Sequence, residues 1–125
     1  MPMLCDASIS DALHEPEHRR EILEAGWEAL KQDYERLHLW ASRLNGLARD
    51  MERAYDRMYG VCRSCDGEPC GCQLEEHGSQ AEKQAASALF AASNALTQAY
   101  YRVSRKLMRI ERVLRQIHDS QRRVA

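Results

Sequence analysis

With 125 residues, 30% of them charged, and a formal net charge of −1, the chain suffices for one domain but carries no overall field that would draw it to nucleic acid or an anionic membrane. One Phe and three Pro leave little strand material, while Leu, Ala, Arg, Glu and Gln fill long stretches, the balance of long helices. No segment approaches the ~20 apolar residues of a membrane span, and the start of the chain lacks the basic and apolar regions of a secretory signal, so a cytoplasmic location is expected.

Residues 1–15 read as a partly flexible N-terminal segment, with Cys5 a free thiol. Residues 16–60 read as a long first helix. Pro16 suits a first helical turn, and only Gly26 and Gly46 interrupt good helix formers before Gly60. Apolar residues recur there at alternating steps of four and three: Leu23, Trp27, Leu30, Tyr34, Leu37, Ala41, Leu44, Ala48, Met51, Tyr55 and Met58. A period of about 3.5 held over so many turns is a coiled-coil stripe.

Residues 61–78 read as a turn that binds zinc. Cys62, Cys65, Cys70 and Cys72 give the spacing C-x2-C-x4-C-x-C, with Gly67, Pro69 and Gly71 providing sharp bends between them. In a reducing compartment, clustered thiols suggest a metal before a disulfide, and four thiolates can close a tetrahedral shell around one structural Zn²⁺. The final C-x-C is tight, so His77 is a possible replacement for one cysteine. A disulfide pair or free thiols are the plainer alternatives. A catalytic zinc would keep an open ligand position, and a redox role for Cys62 and Cys65 lacks the surrounding βαβ pattern.

Residues 79–123 read as a second long helix, with the stripe Ala85, Leu89, Ala92, Leu96, Ala99, Val103, Lys106, Ile110, Val113, Ile117, Ser120 and Val124. Folding the chain back near position 70 sets Leu23 against Ile117 and Met51 against Leu89. The same register puts Lys106 opposite Tyr34, where a polar seam residue would help fix the alignment. Residues 15–36 are mainly acidic and residues 100–125 mainly basic, which also favours an antiparallel hairpin. The expected fold is therefore all-α: a long antiparallel helical hairpin, or coiled coil, closed at the turn by a zinc-binding loop of four cysteines. Apolar flanking residues, Trp40, Leu47 and Ala54 on the first helix and Tyr100, Leu107 and Leu114 on the second, suggest that two copies form a four-helix bundle.

No phosphate loop, nucleophile elbow or paired-carboxylate arrangement is evident, so no enzymatic activity is expected. The leading expectation is a zinc-stapled, homodimeric adaptor or inhibitor that binds another protein stoichiometrically. One alternative uses the basic ridge Arg102, Arg105, Arg109 and Arg112 to bind nucleic acid. Another uses the acidic tip around Asp66 and Glu68 to regulate a transcription or other nucleic-acid machine.

Overall fold

The computed structural model describes residues 16–65 and 67–124. The expectations for residues 1–15 and for Asp66 lie outside the described residues. Among those described, the chain is all-helical: α1 spans Pro16–Tyr59, α2 Cys72–His77 and α3 Gln80–Val124, and α1 packs against α3. No helix is long and apolar enough to cross a membrane.

The helix ends follow from local chemistry. Gly60 closes α1 with φ of 83°, a left-handed conformation that glycine adopts without a side-chain clash, and its amide donates to the Asp56 carbonyl at 2.7 Å. At the start of α3 the Glu82 amide donates to Ser79 Oγ at 3.1 Å, and the Ser79 amide donates to the Glu82 carboxylate at 3.2 Å. This reciprocal pair satisfies two amides that the first helical turn would otherwise leave without partners.

The described residues form two compact units, each containing a stretch of both long helices. In the unit made by 16–37 and 99–124, Leu23, Leu30, Val103, Leu107, Ile110 and Ile117 form the buried core, with Trp27 and Leu114 packed beside it. Burying each leucine or isoleucine contributes about 1.5–3 kcal/mol. Arg20 donates to Gln121 at 3.2 Å, Trp27 Nε1 donates to Glu111 at 3.0 Å, and Tyr34 stacks on Tyr100 with ring centroids 4.3 Å apart. Rising numbers on α1 meet falling numbers on α3, so the helices are antiparallel here.

In the unit made by 38–98, buried beside the larger Leu74, Glu52 and Asp56 are small residues of the two long helices: Ala41, Ala48, Ala86 and Ser93. Such side chains let helix axes approach toward the lower end of the usual range, about 8 Å. Ser93 Oγ donates to the Ala41 carbonyl at 2.8 Å, which satisfies a hydroxyl placed in this seam. Tyr55 on α1 donates to both carboxylate oxygens of Glu82 on α3 at 2.8 Å, so the residue that caps α3 also ties it to α1.

The stripe on α3 departs from its expected course at three positions. Val103, Ile110 and Ile117 are buried as expected, but Ala86, Ser93 and Leu107 are buried in place of the exposed Ala85 and Ala92 and the half-buried Lys106. The sequence holds side-by-side pairs at these points, Ala99 with Tyr100 and Lys106 with Leu107, and periodicity alone does not choose between them. Apolar area does: Tyr100 and Leu107 remove more of it from water than Ala99 and Lys106. Tyr34 meets Tyr100 and not Lys106, and Ser93 reaches Ala41 where the expected register put Ala99, so at both points α3 lies six residues from the expected alignment, close to the one-heptad slip that leaves the stripes matched. The part expected of Lys106 in fixing the register falls away.

Candidate metal centre

Four cysteines converge in the segment between α1 and α3. Their Sγ atoms all lie within 4.8 Å of one another. A turn brings the first two together: the Cys65 amide donates to the Cys62 carbonyl at 3.2 Å, and their sulfurs are 3.1 Å apart. Cys72, the first residue of α2, sets its sulfur 3.8 Å from that of Cys65. Sulfurs bound tetrahedrally to Zn²⁺ at ~2.3 Å stand about 3.8 Å from one another. The donor set and its spread therefore fit one tetrahedral thiolate-bound ion.

The segment is anchored on one side of α1 by carboxylates. Asp56, only 2% exposed, accepts from the Cys70 amide at 3.0 Å and from its thiol at 3.1 Å. Glu52, also buried and held by Arg49 at 2.9 Å, lies directly against Gly71. Gly71 has φ of 72°, and a Cβ there would collide with that carboxylate, so this position admits little besides glycine. Gln73 then donates to the Gly60 carbonyl at 2.6 Å, joining the start of α2 to the end of α1. Leu74 is buried beneath α2, and the Gly78 amide closes that helix on the Leu74 carbonyl at 2.8 Å.

The thiols differ in acidity because they bond to one another. The bonds that Cys62 shares with Cys65 and Cys72 lower its pKa to about 7. The bond with Cys62, and after it that with Cys72, pushes Cys65 up to about 12, and the Cys72 thiol is raised chiefly by its bond with Cys62. A metal ion must therefore displace the protons that the raised Cys65 and Cys72 thiols hold.

His77 does not join the sulfurs. Its ring stacks on Tyr59 with centroids 3.7 Å apart, so the alternative in which it replaces a cysteine is not the one that the geometry favours. Asp56 and Glu52 are the site residues that sequence reasoning missed. Both look like ordinary acids on a charged helix, and nothing local marks them. The capping pair Ser79 and Glu82 was also missed, although S-x-x-E before a helix is a legible signature.

The remaining candidates fall on different surfaces. Arg102, Arg105, Arg109 and Arg112 are exposed along one side of α3, and Glu68 is exposed in the turn. Trp40, Leu47 and Ala54 are exposed on α1, whereas Leu107 is buried, Leu114 packs on the core and Tyr100 stacks on Tyr34. Half of the six residues expected to face a second copy are thus packed within the chain. No family model, no curated protein and no solved structure matches the chain.

Proposed function

We propose that the protein is a zinc-stapled helical interaction module that acts by stoichiometric binding to another protein and carries out no catalytic step. The supporting observation is the placement of four mutually close sulfurs at the joint between two long helices. A structural ion there adds its binding free energy to the closure of the joint, and Met58 and Val61 at the same joint are both exposed. Exposed apolar side chains of this kind are suited to contact a protein surface.

Native mass spectrometry of the chain purified without chelator is the test of the staple. One zinc per chain is expected, and replacing Cys62 and Cys72 with serine removes it. Affinity capture with the wild type and with a Met58→Ala/Val61→Ala variant then tests the contact, with a one-to-one complex expected for the wild type alone. A metal-free chain whose four thiols react freely would sink the staple.

The exposed arginines of α3 favour a second reading, binding to nucleic acid phosphates. That reading requires affinity that falls steeply with salt and is abolished by Arg105→Glu with Arg109→Glu. A salt-insensitive complex excludes it.

A further inference from the structure

Between Lys83 and Arg102 the chain carries no charged residue, although 30% of all residues are charged. This stretch makes about five turns of α3, and only part of its circumference meets α1. Ala88, Ala92 and Ala95 lie on its exposed side. On α1, Trp40 and Leu47 stand one heptad apart, 48% and 53% exposed, with the exposed Ala54 one heptad further on. Trp40, Leu47, Ala54, Ala88, Ala92 and Ala95 all belong to the unit made by 38–98.

Contacts around the helix pair distinguish its two flanks. Arg49 covers the ring of Phe90 at 5.1 Å, and the cysteine segment rests on Glu52 and Asp56. In the heptad frame set by Ala41, Ala48 and Ala86, Ser93, these groups all lie on one flank. In an antiparallel pair the matching flanks of the two helices fall on the same side. Trp40, Leu47, Ala54 and Ala92 therefore share the opposite flank, away from the cysteine segment.

We infer that this flank is the interface with a second copy of the chain. The inference rests on the reading of the protein as a stoichiometric binding module and names one of its partners. Large residues stand on α1 and small ones on α3, and the alignment of Ala41 with Ser93 sets Trp40 within one residue of the level of Ala95 and Leu47 within one residue of that of Ala88. A two-fold axis running along the helices, between two facing layers, places α1 of each copy over α3 of the other. Trp40 and Leu47 then enter the depressions over Ala95 and Ala88, twice in each dimer. Helix segments of ~33 Å, side by side over a width of ~20 Å, give each copy a footprint of roughly 650 Å², within the standard range for a stable dimer when doubled. No charge from this stretch of α3 needs to be desolvated; on α1 the Arg43 guanidinium, 5.3 Å from the Trp40 ring centroid, has to swing aside.

The test is sedimentation equilibrium of the full chain, with metal content and helical circular dichroism measured on the same samples. The wild type is expected to be a dimer. Ala88→Glu with Ala95→Glu, at exposed helical positions where glutamate is a good helix former, is expected to give a folded monomer with unchanged metal content. Asn94→Glu, on the other flank, is expected to leave the dimer intact. Mixing a Leu47→Lys chain with an Ala88→Glu chain is expected to restore a one-to-one dimer through the new opposite charges. A monomeric wild type, a dimer that survives the double substitution, or a mixture that remains monomeric overturns the proposal. A metal-free dimer that the double substitution splits leaves this interface standing and removes the staple, whereas a zinc-loaded monomer does the reverse.

Discussion

Asp56 grips the Cys70 amide and thiol from the side of α1 that the turn covers. The amide bond outlasts the loss of the thiol's proton to a metal, so removing it should loosen the sulfur set without touching a ligand. Asp56→Ala is expected to weaken zinc binding by about 10–100-fold in competition with a chelating dye, whereas Asp56→Asn, which keeps an oxygen for the Cys70 amide, retains most of it. Acidity gives a second expectation. Cys65, pushed up to about 12, and Cys72, also raised, must each lose a proton to bind metal, so affinity rises with pH. Near pH 8 the rise is expected to be about 100-fold per unit or more, and it steepens below about 7, where Cys62 also carries a proton. A flat profile between about pH 6 and 8 in zinc titrations would rule out thiol ligands. The sulfurs were legible in the sequence because few residue types bind metal and their spacing is short. Asp56 was not, because its importance arises only when the turn folds over it.

At the level of the helix, the start of α3 depends on Ser79 and Glu82. Ser79→Ala is expected to lower stability to urea by about 1 kcal/mol, since an amide of the first turn loses its acceptor. Glu82 carries a lowered pKa, caused first by the Tyr55 hydroxyl and then by Ser79. A depressed carboxyl contributes stability that is fully present above its unfolded pKa and is lost as pH falls through the folded one, so acid loosens this joint. In the other unit, Leu30 is fully buried, and Leu30→Ala is expected to cost about 2–5 kcal/mol in the same unfolding measurement. The two long helices and their antiparallel course were legible from the heptad stripe, because a seam held through many turns must be covered along its whole length, and a second helix of matching length and period does that. The alternate positions on α3 were not, because neighbouring residues such as Lys106 and Leu107 fit the period equally well and only packing area separates them.

For the whole molecule, removal of metal should have local consequences. Hydrogen exchange with and without a chelator is expected to quicken across 60–78, while amides near Leu23 and Ile110, in the core of leucines and isoleucines, keep their protection. Rapid exchange throughout the chain would mean instead that the metal holds the entire fold. The contacts also form a series in sequence distance: Cys70 to Asp56 spans 14 residues, Tyr55 to Glu82 27, Ser93 to Ala41 52, Tyr34 to Tyr100 66, Trp27 to Glu111 84 and Arg20 to Gln121 101. Each contact, once made, shortens the loop that the next must close, so the cost of bringing distant residues together is met in small steps. Folding is therefore expected to begin at the cysteines and advance toward the chain ends. Substitutions beside the metal centre should slow folding in stopped-flow experiments, and those near Arg20 and Gln121 should chiefly hasten unfolding.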